Sequence, residues 1–497
     1  MKFYCDQPKN LESLVLSTFG KWIESQTYKL MSLITKLQQH DKTKAEALLS
    51  LQIKIIKSHL NCNVPTALHD KLAIKAKMKL SQLFCETKES ETEESDNQTI
   101  VIGRMLEILF TKNLTSLLLD SAFYDMFSNT FFSKSHMLTG LIELHLSPYK
   151  KEEGNLETSI IQSLKVLKNL KCFTIENVCS DNILKCLVKN CTSIEELKVV
   201  DSVINDKSVD ILIQLDNLTN VDLIKTKVSY IGIGTILLSC KNMEYINTTQ
   251  TDMLVPALEY IVSLKKHSNE LFKLKHFTNY NDMTLEQLQL VVKMCPLIEN
   301  ICLSYSVDPL LNALNDLQNL NELMLTDFDF YEDEITEMLE LKGRNLKHLH
   351  LLEVEDIDIN ALKCINQMCP NLHSLKIEDC IFVSRIPEYD CTDAPLPFLN
   401  LKKLHLESES LSDCFDDEHV LFLLSHCPNI ETIIITASKY LSTDIMMQVL
   451  DKNPLIYLKK FAMWGHCTDS CKLFIARITQ NCINPPHILF QSRITYI

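Results

Sequence analysis

Apolar and polar positions alternate along this chain with a long, uneven period. A six-residue pattern, L-x-x-L-x-L or a close variant, starts at Leu114 (LTSLLL), Leu141 (LIELHL), Leu170 (LKCFTI), Ile194 (IEELKV) and Leu218 (LTNVDL). It returns at Ile298, Leu320, Leu346, Leu372, Leu401, Ile430 and Leu458, with degenerate copies at Met243 (MEYINT) and Leu271 (LFKLKH). Successive starts lie 22 to 29 residues apart. Within each unit the apolar residues face one side and polar residues stand between them, which predicts a short strand with one buried face. Between the strands lie segments such as DNILKCLVKNC (181–191) and TLEQLQLVVKMC (284–295), whose apolar residues recur at helical spacing.

One strand and one helix cannot bury a core of their own, but stacked copies can. The pattern therefore predicts an α/β leucine-rich-repeat solenoid, a horseshoe with a parallel inner sheet and outer helices, running over residues 99–480 in about fourteen units. Residues 481–497 are expected to form a tail. Five of the predicted helices end in a cysteine, at Cys191, Cys240, Cys295, Cys369 and Cys427, and three of these continue as CPLI, CPNL and CPNI. Proline stops the helix there, and a small apolar thiol suits a tight corner better than it suits chemistry.

Residues 1–85 carry no such unit. Their spacing predicts helices over 10–25, roughly 27–40, roughly 43–60 and 65–84, followed by an acidic stretch at 86–98, ETKESETEESDNQ, expected as a linker or loop. Leu11, Leu14, Val15, Phe19, Trp22 and Ile23 form an apolar stripe on the first helix. That stripe suits either a cap over the end of the repeat stack or a ridge offered to a partner. In VPTALHDKL, proline occupies the first turn of a helix, where its missing N–H costs nothing, and Leu68 and Leu72 follow one turn apart.

Composition narrows the function. The chain has 497 residues, 46% of them apolar, and a net charge of −15. That charge opposes nucleic acid and anionic membranes, and no apolar run approaches a membrane span. MKFYCDQPKN has no leader-like apolar core, so the 19 cysteines are expected as reduced thiols of a cytoplasmic or nuclear protein. His466, Cys467 and Cys471 lie close together in MWGHCTDSC, but no second cysteine pair stands at zinc-finger spacing, and no metal is assigned. Eight glycines and no phosphate-loop string leave no site for a nucleotide cofactor. With no nucleophile–base arrangement visible, the chain is expected to be noncatalytic.

The residues between the apolar strand positions point to the inner surface. Among them His348, His350, His373 and His405 fall on neighbouring strands, and Trp464 lies on the last clean one, as candidates for partner binding. Three acidic runs, DFDFYEDE (327–334), EVEDIDI (353–359) and ESESLSDCFDDEH (407–419), are expected along one rim, where they favour a basic peptide.

The repeats, with their helix-ending cysteines, resemble those of intracellular ubiquitin-ligase receptors, including the leucine-rich F-box proteins. PKNLESLVLSTFGKWI and VPTALHDKL together resemble the von Hippel–Lindau-type box of the zyg-eleven and zer-one receptors. That resemblance implies that Leu11, Val15 and Phe19 meet elongin C, and that Val64, Pro65, Leu68 and Leu72 meet cullin-2. No counterpart of that family's armadillo-like domain is expected within these residues, so its degron-binding residues are not carried over. Pro8, Leu11, Leu14 and Phe19 are also similar to the start of an F-box, which implies a Skp-type adaptor with its own cullin. The function expected is a substrate receptor, holding a target protein on the repeats and a cullin scaffold on the N-terminal helices. The alternative is a protein-binding scaffold unrelated to ubiquitin.

Overall fold

A computed structural model describes residues 11–38, 41–64, 68–88, 93–119, 121–148, 155–248, 253–264, 270–383, 397–408, 415–437, 442–464, 471–484 and 486–491. The chain divides into two compact units, Lys9–Tyr260 and Ile261–Ile497.

The first unit opens with four helices, α1 (Leu11–Gln38), α2 (Lys42–Asn63), α3 (His69–Lys88) and α4 (Glu93–Leu106). The two helices expected over 10–40 are one. No proline or glycine pair interrupts the run, and Ile23, Leu30, Met31 and Ile34 keep helical spacing on a single buried face. The expected acidic linker is also helical over its described residues. Its second half joins Val101, Ile102, Met105 and Leu106, all buried, and so becomes the first turns of α4.

The strands of this unit follow as β1 (Ser116–Leu119), β2 (Glu143–Leu146), β3 (Cys172–Glu176), β4 (Glu196–Val200), β5 (Asn220–Leu223) and β6 (Tyr245–Thr248). They pair in sequence order as a parallel six-stranded sheet. α3 binds the outer edge of this sheet. The Asp70 carboxylate accepts from the backbone N–H groups of Thr115 (2.8 Å) and Ser116 (3.3 Å) and from the Thr115 hydroxyl, while Lys77 Nζ donates to the Leu118 carbonyl at 2.8 Å. These side chains satisfy backbone groups of β1 that no strand pairs on that side.

The second unit contains β7 (His276–Asn279), β8 (Asn300–Ser304), β9 (Glu322–Thr326), β10 (His348–Leu352), β11 (Ser374–Glu378), β12 (Lys403–Ser408), β13 (Thr432–Ala437), β14 (Lys460–Trp464) and β15 (His487–Gln491), a parallel nine-stranded sheet, again in chain order. Two expectations change here. The unit placed at Leu271 starts three residues later, at Leu274. Leu274, Phe277 and Asn279 take the buried positions, and the true pattern, LKHFTN, ends on an asparagine. The expected tail supplies β15, which pairs with β14 and buries Ile488.

Within each unit the helices between strands bury their apolar faces against the sheet. Side chains at their N-termini accept from the first turn, as Ser180, Asn205, Thr284, Asp358, Asp416 and Ser442 do. Asparagines just before the first leucine of a unit tie it to the preceding one. Asn169, Asn217, Asn371, Asn400 and Asn429 donate to the carbonyls of Thr139, Thr192, Arg344, Pro370 and Leu399. Among the described residues no helix is long and apolar enough to cross a membrane.

Candidate functional site

Two surfaces, one in each unit, carry the residues singled out by the sequence. In the first unit α1 and α3 run parallel. Glu12 meets Lys71 at 2.5 Å and Glu24 meets Lys79 at 3.2 Å. The apolar stripe of α1 divides along its length. Leu14 and Val15 are 53% and 39% exposed, Phe19 and Trp22 are half-buried with ring centroids 5.8 Å apart, and Ile23 is wholly buried. The side chain of Leu11, and Pro65, lie outside the described residues.

Phe19 lines a small recess together with Leu60, Val64, His69, Leu72, Ala73, Ile108, Leu109 and Thr111. His69 Nε2 approaches the Val64 carbonyl at 3.2 Å. The structure thus brings together Phe19 from the first sequence motif and Val64 and Leu72 from the second. Leu68 is half-buried nearby in sequence. Leu72, 5% exposed, lies on the inward face of α3 with Ala76, Leu80 and Leu83 and lines the recess. Two outward apolar pairs escaped the sequence reading, Leu51 with Ile55 on α2 and Ile74 with Met78 on α3, each more than half exposed. Their i, i+4 spacing, out of phase with the buried stripe of the same helix, is the signal that marks them.

In the second unit the site is on the sheet face opposite the helices. Strand register places His350, Lys376, His405 and Ile434 in one row across β10–β13. The next row holds Leu352, Glu378, Glu407, Thr436 and Trp464. Glu378 sits 2.6 Å from His350 Nε2 and 2.6 Å from Lys376 Nζ, and Glu407 sits 3.1 Å from His405 Nε2. The four histidines do not converge. His350 and His405 flank Lys376, His348 stands in a separate row beside Ser374, and His373 precedes β11 with its Nδ1 2.7 Å from the Asn371 carbonyl.

Burial, then the Lys376 charge, holds the imidazoles of His350 and His405 below their ordinary value. Burial works to raise Glu378, but the hydrogen bond and charge of Lys376, with His350, outweigh it and hold that carboxyl low. Glu407 is pushed up, first by burial and then by the charge of Glu378. Ligand atoms of Glu378, His405 and Glu407 lie within 4.8 Å of one another, close enough to hold a cation, although the Lys376 ammonium already occupies one side of Glu378. Beside them His405, Glu407, Ile434, Thr436 and Trp464 line an open recess of about 350 Å³. Glu378 was absent from the sequence reading, and Glu407 entered it only as the first residue of the third acidic run. Their signal is the H-x-E and K-x-E spacing, which puts both residues on one strand face.

The acidic runs at 327–334 and 353–359 stack as neighbours. Asp329 bridges to Glu355, and Tyr331 donates to Asp358 at 2.5 Å. Asp327, Glu353 and Asp379 each follow the last residue of a strand in left-handed conformation, with φ of 64°, 53° and 48°. Residues 409–414 of the third run, and the side chains of His466, Cys467 and Cys471, lie outside the described residues.

No family model matches this chain, and no curated protein matches it. Among solved structures, the complex of TLR13 with ssRNA13 is similar at 16% identity and a TM-score of 0.36, over 76% of this chain and 54% of that one. The complex of Rad7 and Elc1 in yeast is similar at 13% identity and a TM-score of 0.43, over 92% and 93%. An internalin, inlF, from Listeria monocytogenes is similar at 13% identity and a TM-score of 0.29, over 69% and 92%. The chain thus spans about half the length of the TLR13 chain. The leucine-rich-repeat fold itself rests on the parallel strand–helix units described above.

Proposed function

We propose that this chain is a noncatalytic substrate receptor of a cullin–RING ubiquitin ligase, acting in the cytoplasm or nucleus. The second unit holds the target protein, and α1 to α3 recruit the scaffold. The observation that carries the reading is the outward placement of Leu14 and Val15 on α1, beside a recess to which both box-like motifs contribute, through Phe19 and Val64. Exposed apolar residues on the first turns of a helix suit insertion into a partner's groove. Ubiquitin transfer then belongs to other subunits, and this chain raises the effective concentration of target beside them.

The test is co-purification of the full chain with elongin B–elongin C and cullin-2, and in parallel with a Skp-type adaptor and its cullin. Elongin C and cullin-2 are expected to co-elute with the wild-type chain, and Leu14→Asp with Val15→Asp to abolish co-elution while leaving the repeats folded. Recovery of the Skp-type adaptor instead selects the F-box reading. Recruitment that survives the double substitution overturns the docking assignment.

A second reading, a repeat scaffold whose helices serve only as a cap, draws support from the bonds of Asp70 and Lys77 to β1. It predicts that neither adaptor is recovered.

A further inference from the structure

On the open face of the second sheet the charges separate along the strands: Lys403 and Lys460 stand two rows from the row of Glu378 and Glu407, and Asp327, Glu353 and Asp379 follow one residue beyond the strand ends. The Lys376 ammonium is bonded to Glu378. Glu407 is paired with His405 and lies within hydrogen-bond reach of Glu378. His350 and His405 are held below their ordinary values, so near neutral pH both rings are uncharged. Burial, then its carboxylate neighbours Glu378 and Asp379, push the Glu407 carboxyl up, and a cation seated beside it opposes that shift.

The same residue forms one wall of a notch. Glu407, Thr436 and Trp464 stand in register on three successive strands. Strands lie about 4.8 Å apart, so about 10 Å separates the carboxylate strand from the indole strand. The small threonine between them leaves the gap open, and Ile434 supplies an apolar floor. A planar guanidinium fits such a gap. It bonds a carboxylate in two places and stacks on an indole face, while its aliphatic stem covers an apolar neighbour. A compact, strongly hydrated ammonium uses these walls less well.

We propose that this recess binds an arginine side chain from an extended basic segment of a partner protein, its guanidinium between Glu407 and Trp464 above Thr436 and its stem on Ile434. Asp327, Glu353 and Asp379, one residue beyond the strands on the Glu378 side, draw the flanking basic residues. The inference deepens the receptor reading by naming the substrate chemistry, and it rests on that reading only in assigning the segment to a ligase target.

The probe is a fluorescein-labelled hepta-arginine peptide, titrated with the full chain at physiological salt and read by anisotropy. Glu407→Gln is expected to weaken binding about tenfold, the loss of one charge-assisted hydrogen bond. Trp464→Ala is expected to weaken it about fivefold, and Trp464→Phe to restore most of that. Thr436→Arg, which fills the notch with an arginine of the chain's own, is expected to block the site. Glu340→Gln, a carboxylate remote in sequence from the notch, is expected to leave binding unchanged. Equal binding by wild type and all the notch variants, each shown folded by far-UV circular dichroism, overturns the proposal in favour of diffuse charge attraction. So does a wild-type chain that ignores the peptide but binds zinc chloride in a manner lost in His405→Ala, which makes the cluster a metal site. The Leu14→Asp, Val15→Asp chain is expected to bind the peptide normally, so failure of adaptor recruitment and failure of the arginine site are read separately.

Discussion

At the scale of single residues, the cysteines show how burial decides between packing and chemistry. Cys191, Cys240, Cys295 and Cys369 cap the C-termini of their helices. The Cys191 thiol donates to the carbonyls of Leu164 at 3.6 Å and Leu167 at 3.4 Å, and that of Cys427 to Leu423 at 2.9 Å. Burial pushes the thiols of Cys191, Cys295 and Cys369 up to about 12 and that of Cys240 to about 11. A thiol near 12 is about a thousandfold poorer in thiolate at pH 8 than a free one. Iodoacetamide at pH 8 is therefore expected to label Cys191, Cys295 and Cys369 about a thousandfold, and Cys240 about a hundredfold, more slowly in the native chain than in urea, as read by mass spectrometry of the peptides. The same shift fixes a sign for stability. A folded value above the unfolded one of 9.0 means the contribution is complete below pH 9 and is lost as the pH rises toward the folded value. Between pH 9 and 11 the chain is expected to lose about 1 kcal/mol per buried thiol per pH unit, measurable as a falling urea midpoint. Glu353 provides a second case. Its hydrogen bond to Asp327 is the chief influence raising its carboxyl, followed by burial and the charges of Asp327 and Asp379. Its contribution is present below the unfolded carboxylate value and lost above the folded one, so at pH 7 the pair opposes folding. Glu353→Gln is expected to raise the melting temperature at pH 7, with the advantage vanishing as the pH falls through the carboxylate range.

At the scale of elements, the question is how a short strand with one buried face is held in place. The leucine spacing made most strands legible, because each unit repeats the same period and the helix between units ends at a cysteine or proline. It failed where residue type and position disagree. At β7 the buried sixth position is Asn279, so the stronger leucines upstream drew the expected unit three residues too early. It also failed for side chains that bond across units, since no single unit displays its partner. Asn453 is the sharpest of these. Buried, it donates to the carbonyls of Leu424 at 2.7 Å and Cys427 at 2.9 Å and accepts from the Leu455 N–H at 3.2 Å. Asn453→Ala strands all three groups and is expected to cost about 3 kcal/mol in urea unfolding, against less than about 1 kcal/mol for the exposed Asn429→Ala. Asp70 works in the same way at the edge of the first sheet. Asp70→Ala leaves the N–H groups of Thr115 and Ser116 without their acceptor and is expected to cost about 2 kcal/mol. Hydrogen exchange should quicken at β1 while the nine-stranded sheet keeps its protection.

At the scale of the whole molecule, the chain builds two repeat stacks from one recurring rule. The fold class was legible because that rule is written in apolar spacing. The chemistry was less so, because it arises between strands. Lys376 lies between His350 and His405 only once β10, β11 and β12 are in register, and Glu407 and Trp464 are 57 residues apart in sequence yet two strands apart in the sheet. The same dependence on stacking makes the last described strand consequential. β15 has no leucine pattern of its own, and its residues fell within the tail expected over 481–497. Yet it pairs along all of β14, and Ile488 lies in register with the buried Phe461. Removing residues 484–497 uncovers the β14 edge, an unpaired ladder flanked by Phe461, Ala462 and Met463, and open apolar edges invite pairing with other chains. The truncated chain is expected to leave the monomer peak in size-exclusion chromatography for larger species. Restoring residues 484–491 alone is expected to return it to the monomer, since they contain every residue that pairs with β14. If the truncated chain stays monomeric with an unchanged urea midpoint, β15 contributes nothing to the stack, and the 481–497 segment is the tail its sequence suggests.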